Sequence, residues 1–380
     1  MVLVPAGSFT FGAGPKERQL LNRVRKELLE GARAILRSAD GTTDFAQAED
    51  LTTVLATAIK QVADARSRES KPHPIPPAVS ETAEETANRK QRLAQLVATS
   101  EVLSQAQAKV VLAEKMVSWL RAEEPGVVQQ VEAFYMDKFA VTIGQYLEFC
   151  KATQHEMPFP YKSAVAGAAS NKRFPEVADP SFMDPKCPIT AVTQLEAKAY
   201  AAWVGKRLPT EIEWQYAARG GRDTVFPWGD EPWDGTQANL GGASLVKLNP
   251  KYSPSLSHLP KDDRFACLSP VGRFPPNGFG IYDMAGNASN WCDGNPWFMS
   301  YLLVKLAGEL PKDFVEPRAK DPYFGGHTIE ECQPLCGSGY LNTEFDARVT
   351  HRYGTLLMHG EPERGFRCVR NPTDGSTGTR

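Results

Sequence analysis

Residues 205–221 read GKRLPTEIEWQYAARGG, and no other stretch restricts the fold as tightly. Pro209 and Thr210 start a helix. Threonine is a good N-cap, and Glu211 and Glu213 lie in the first turn, at the positive end of the helix dipole. Trp214, Tyr216, Ala217 and Ala218 follow at helical spacing, and Gly220–Gly221 stops the helix. Physics alone gives a short, well-capped amphipathic helix.

Around this string three compositions alternate. Residues 2–12 read as a strand, with Val2, Leu3 and Val4, then Phe9 and Phe11 alternating with polar residues. Residues 15–123 are poor in aromatics and rich in strong helix formers. Three helices are expected there. The first spans 16–37, with Leu21, Val24, Leu28 and Ile35 on one stripe. The second spans 44–68, with Leu51, Val54, Leu55, Ile59 and Val62. The third spans 81–121, where Leu96, Leu103, Val110 and Val117 recur every seven residues as a coiled-coil-like seam. Between the last two helices, the prolines of residues 71–77 forbid helix. From Val127 onward Gly, Pro, Trp and Phe dominate, as in an irregular α+β domain with long loops.

Charge is nearly balanced, with 43 basic and 45 acidic residues, and no basic block calls for nucleic acid. No stretch approaches the ~20 apolar residues of a membrane-spanning helix, so no membrane insertion is expected. The first residues lack the charged and apolar regions of a signal peptide. The expectation is a cytoplasmic protein, or one exported without a recognisable signal. The seven cysteines are an odd number at scattered spacing and do not suggest a disulfide framework.

The 205–221 string closely resembles the signature of the formylglycine-generating enzyme (sulfatase-modifying factor) superfamily, and four further segments carry the resemblance. They are residues 131–149, residues 188–203, the string SPVGRFPPNGFGIYDMAGNASNW at 269–291, and GFRCVR at 365–370. Gln194 and Ala201 depart from the residues common in the family. The resemblance implies an α+β, C-type-lectin-like fold. In similar proteins the opening strand is followed closely by a segment like residues 131–149. Here the helical residues separate the two, so the lectin-like domain is expected to be discontinuous, 1–13 and 126–372. Residues 14–125 are expected to form a helical insertion, and 373–380 a flexible tail.

The resemblance also frames the chemistry. Active formylglycine-generating enzymes bind copper through two cysteines just after a GGSY-like turn. The corresponding positions here fall near Asn342 and Ala347, and no cysteine lies between Cys336 and Cys368. Soft thiolates suit Cu(I), so no copper site and no catalytic residue are expected. A multi-histidine iron site cannot come from the helical segment, whose one histidine is His73. Family members also hold a structural calcium, and the matching ligands are Asn239, the Leu240 carbonyl, Asp263 and the Phe265 carbonyl, hard oxygens that suit Ca²⁺. The alternative is an Asx-turn without metal. A second family site would use Asn287, but Asn290 replaces its glutamate.

The reading is a non-catalytic binding protein, resembling the variable proteins of diversity-generating retroelements. Its expected recognition surface for a protein or other macromolecule lies in 340–364: Tyr340, Asn342, Glu344, Phe345, Asp346, Thr350, His351, Tyr353, Leu356, Met358 and His359. The alternatives are an accessory subunit of a secretion or phage-related assembly, self-associating through residues 15–123, and an enzyme with unrecognised chemistry.

Overall fold

Three helices begin with the same device. Thr142, Thr193 and Thr210 each accept a hydrogen bond from the backbone N–H three residues on, while Gln145, Glu196 and Glu213 reach back to the cap. These reciprocal capping boxes satisfy amides that the first turn leaves unpaired. In the computed structural model, which describes residues 1–37, 50–70, 83–123, 126–158, 161, 175–249, 261–294, 332–356 and 360–372, they start α4 (Ile143–Thr153), α5 (Gln194–Trp203) and α6 (Glu211–Arg219). Helix α6 stops at Gly220, whose φ of 59° is left-handed. A Cβ there would also lie 2.6 Å from the Gly278 nitrogen, so the position suits only glycine. Asn277 completes this end by donating to the carbonyls of Ala217 and Ala218 at 2.7 and 3.2 Å.

The chain divides into two compact units, Gln19–Leu120 and Met1–Arg18 with Arg121–Arg380. The first contains most of α1 (Pro15–Arg37), α2 (Leu51–Ser70) and most of α3 (Ala83–Glu123). Its core joins Ala32, Leu36, Leu51, Leu55, Ala58, Leu103, Ala106 and Val110. Leu103 and Val110 of the expected seam are buried, with Ala106 between them, whereas Leu96 and Val117 are only half-buried. Residues 44–49 and 81–82 of the helix readings, the proline break 71–77 and the expected tail 373–380 lie outside the described residues.

The second unit is irregular and α+β, as expected. One antiparallel sheet orders β1 (Val2–Val4), β4 (Phe134–Met136) and β9 (Val369–Arg370). A second orders β7 (Arg352–Leu356), β6 (Cys332–Cys336), β5 (Ser289–Trp291) and β8 (Arg364–Gly365), with β5 and β8 parallel. Strand β2 (Gly7–Phe11) pairs with β3 (Val127–Val131), so the strands flanking the helices form one hairpin. Past their ends, Ala13 N–H donates to the Glu123 carbonyl at 2.9 Å. A short helix, α7 (Ala243–Leu248), completes the unit.

Trp228 is half-buried, whereas Trp214, Trp291, Phe274 and Phe366 are buried. Trp203 is not. It sits at the last position of α5, its ring tilted at 54° to Phe149 with centroids 5.5 Å apart, and remains 45 % exposed. Arg207 pairs with Glu213 at 2.6 Å, and the buried Arg219 pairs with the exposed Asp223 at 3.0 Å. No described helix is long and apolar enough to cross a membrane.

Candidate functional site

The segment 340–356 leaves β6, crosses a 3₁₀ turn at Glu344–Ala347 and returns as β7. Its side chains were expected to form an exposed face, and the structure corrects this for six of them. Tyr340, Glu344, Phe345, Asp346, Thr350 and His351 are buried. The reason is local chemistry. Asp346 accepts the N–H and hydroxyl of Thr343, both at 2.8 Å, in a capping box that turns the short segment inward. Phe345 lies under the Arg348 guanidinium, 3.6 Å from ring centroid to Cζ. Tyr340 meets Phe182 edge-on at 6.2 Å.

Asn342, Tyr353 and Leu356 are half-buried. Asn342 is used structurally, its side chain accepting from the Gly339 N–H at 2.8 Å. The Tyr353 hydroxyl donates to Ser289 at 3.0 Å, and burial pushes its pKa up to about 12. Met358 and His359 lie outside the described residues.

What holds this segment is a residue that sequence reasoning missed. Glu123, the last residue of α3, is buried and accepts from Arg348 Nη2 at 2.6 Å and Thr350 Oγ1 at 2.7 Å. His351 Nδ1 stands 3.7 Å from the same carboxylate, and its Nε2 stands 4.0 Å from Asp346. Burial pushes the Glu123 carboxyl up, yet Arg348, His351 and Thr350 together outweigh it and hold the group below its usual range. The pairing answers a large desolvation cost on both sides, since Arg348 is fully buried. Nothing in the sequence around residue 123 signals this, because its partners lie more than two hundred positions away.

A second buried carboxylate has the opposite environment. Asp263 accepts the N–H groups of Leu240 at 2.7 Å and Phe265 at 2.8 Å. Among the described residues no side-chain cation offsets its charge, and burial lifts its pKa to about 7. Close by, Asn239 spends its amide nitrogen on the Cys267 carbonyl at 2.8 Å and on Asn287 at 3.3 Å. That leaves the buried Asn239 Oδ1 without a hydrogen-bond partner. A buried amide oxygen without a partner thus lies one residue from the Leu240 N–H that Asp263 accepts, and oxygens of these two kinds suit a hard cation. Hydrogen bonds bring Leu240 and Phe265 to Asp263, with Asn239 next to Leu240 in the chain, and a carboxylate and an amide oxygen are donor types that calcium takes.

The second family site fares differently. Asn287 Oδ1 accepts from Ser269 N–H and its amide donates to the Ser269 carbonyl. Asn290 Oδ1 accepts from Trp214 Nε1 at 3.1 Å and Arg367 Nε at 2.7 Å. Both side chains are committed to cross-links of the core. Deeper still, Glu211 Oε1 lies 3.8 Å from Arg352 Nε, and burial outweighs the arginine to lift its carboxyl to about 7. Among the described residues no group of three or more His, Cys, Asp and Glu side chains could hold a metal ion. A site built on one carboxylate, one amide and backbone carbonyls falls outside that description.

Comparison with known proteins places this geometry. Residues 83–372 match the model of the sulfatase-modifying factor enzyme 1-like domain. The formylglycine-generating enzyme of Thermomonospora curvata is 31% identical over 66% of this chain and 86% of its own length. The inactive C-alpha-formylglycine-generating enzyme 2 of Bos taurus is 42% identical over 48% of this chain and 50% of its own. The solved structure of PvdO from Pseudomonas aeruginosa aligns with 24% identity and a TM-score of 0.45, covering 66% of this chain and 85% of that one.

Proposed function

This chain belongs to the sulfatase-modifying factor enzyme 1-like domain family, and from that membership we propose a non-catalytic member that works by binding a protein or other macromolecule. One observation carries the reading. The segment that resembles the copper-binding stretch of the active enzymes contains no cysteine between Cys336 and Cys368. Its interior is occupied instead by the Glu123, Arg348 and Thr350 network. The relative named inactive supports the same reading, since it places a member of that description within the family.

Recognition is assigned to 340–364, with the load divided. The buried residues fix the backbone, and the half-buried Leu341, Asn342, Tyr353, Thr355 and Leu356, with Glu361, Glu363 and Arg364, carry accessible side-chain area among the described residues. A frame held by charge-assisted hydrogen bonds lowers the ordering cost of binding. The resemblance to diversity-generating retroelement proteins belongs to this reading, in which sequence variation would fall on those accessible positions. Calcium at Asn239, Leu240, Asp263 and Phe265 is its structural cofactor. It supplies the positive charge that Asp263 lacks and ties two loops of a loop-rich unit.

The test pairs two measurements on the full chain. Incubated with Cu(I), oxygen and a cysteine-containing peptide, the protein leaves the thiol unconverted by mass spectrometry. Formation of the aldehyde would overturn the non-catalytic reading. Selection of a displayed peptide library enriches binders to the wild type that are lost on Thr355→Arg. Enrichment of none, or of binders indifferent to that change, would remove 340–364 as the recognition element.

A further inference from the structure

The seven cysteines are buried and unlinked, but two of them are neighbours that spacing along the chain does not reveal. Strands β5 and β6 pair with Asn290 opposite Cys336 and Trp291 opposite Leu335. The ladder continues one residue further, where the Cys292 N–H donates to the Pro334 carbonyl at 2.9 Å. Side chains alternate faces with period two, so Cys292 and Cys336 stand diagonally on the same face of adjacent strands. The Cys292 S–H donates to the Asn290 carbonyl at 3.7 Å, and each of the two thiols alters the acidity of the other. Both belong to the core that contains Trp214 and Met284.

The alternative partner within β6 is out of reach. Cys332 and Cys336 are separated along the strand by four residues, roughly 13 Å at the strand rise, and a disulfide needs Cα atoms within about 7 Å. Cys150 lies against the Met157 sulfur at 3.6 Å, and the Cys368 backbone is tied to Asp137.

We propose that Cys292 and Cys336 form an oxidant-sensitive thiol pair that closes to a disulfide joining β5 to β6. The asymmetry of the pair sets the order of events. The neighbouring Cys292 thiol and the Arg352 charge both favour negative charge on Cys336, whereas Glu211 disfavours it at both sulfurs. With hydrogen peroxide as oxidant, the Cys336 sulfur attacks one peroxide oxygen and the O–O bond breaks. Hydroxide leaves and takes up the proton Cys336 gave up, producing one water and a sulfenic acid. The Cys292 sulfur then attacks the Cys336 sulfur, and the S–O bond breaks. The departing hydroxide takes the Cys292 proton as a second water. Two thiols and one peroxide become one disulfide and two waters, a two-electron oxidation. Burial pushes both thiols above their usual range, which makes the step slow and confines it to small oxidants. The new bond would link the two ends of residues 293–335, independently of whether 340–364 binds a ligand.

The full-length protein, incubated with hydrogen peroxide under native conditions, is alkylated after denaturation and mapped by peptide mass spectrometry. The expected result is a Cys292–Cys336 cross-linked peptide that is lost on treatment with a thiol reductant, with the other five cysteines alkylated. In Cys292→Ser, Cys336 stops at a sulfenic acid that a dimedone probe captures. Should that variant fail to fold, the wild-type map decides alone. Cross-links between other cysteines, or Cys292 and Cys336 both still alkylatable after the remaining cysteines have oxidised, would overturn the pairing.

Discussion

Glu123 and Asp263 are both buried carboxylates in the same unit, and their pKa values are moved in opposite directions. Glu123 meets a guanidinium, a hydroxyl and an imidazole, and its acidity increases. Asp263 meets two backbone amides and, among the described residues, no side-chain cation, and it holds its proton to about pH 7. Burial costs each of them; what differs is whether the protein supplies the compensating charge. At Glu123 it does, so the surroundings form a frame. At Asp263 it does not, and the unpartnered Asn239 oxygen, one residue from the Leu240 N–H that Asp263 accepts, is a donor through which a cation from solution would act.

The largest effect should come from breaking the answered charge. Glu123→Ala strands a fully buried Arg348, and chemical denaturation should show a loss of about 3–5 kcal/mol. A loss under about 1 kcal/mol, the level of an exposed pair, would mean that the network is not the frame described. The second test supplies the missing charge. At a calcium concentration about a hundredfold above its dissociation constant, the stabilisation should approach about 2.7 kcal/mol, seen as a higher melting temperature. Chelator should reverse it, and Asp263→Asn or Asn239→Ala should abolish it. An equal shift in Asp263→Asn would place the ion elsewhere.

The pH dependence sharpens the contrast, because the two groups carry opposite signs. The folded pKa of Asp263 is raised from 3.8 to about 7, so the folded state binds more protons between those values. Its stabilisation is full below about pH 4 and is lost as pH rises toward 7, at no more than about 1.4 kcal/mol per pH unit. Glu123 is depressed below 4.5, so its share is present above that value and is lost as pH falls through the lower folded pKa. Glu211 has the same sign as Asp263, so the measurement belongs in a Glu211→Gln background. There, calcium should flatten the loss between pH 4 and 7; an unchanged slope would sever Asp263 from the cation. The smallest effect belongs to an exposed pair. Lys16 and Asp230 lie 3.1 Å apart with side chains 43% and 48% exposed. Lys16→Ala should cost under about 1 kcal/mol, and a larger loss would show that exposure is a poor guide to these charges.

The frame of the fold was legible because its signals are local. Capping boxes, the glycine stop of α6 and the helix-forming composition of residues 15–123 each announce themselves within a few positions. Family motifs pointed to Asn239 and Asp263 as candidate calcium donors, and only the structure shows that Asn239 keeps one oxygen unspent. Exposure in 340–356 was misread because polar residues were taken as solvent-facing, while Asp346, Thr350 and His351 are buried among one another and Glu123. Glu123 and the Cys292–Cys336 pair were invisible for one reason: each depends on a partner brought close by strand or helix placement, and neither lies in a spacing a motif could record.

Phe11 lies opposite Val127 at the open end of the β2–β3 hairpin. The chain therefore departs for its helices and comes back one strand spacing away. From the standpoint of the lectin-like unit, Gln19–Leu120 occupies the place of a hairpin loop, and such a loop can change length without disturbing any strand register. The hairpin is thus a docking port for cargo in the polypeptide itself. Closing it with a short turn that retains Glu123, or splicing a different module between the same two strands, should leave the calcium donors and the C-terminal frame in place.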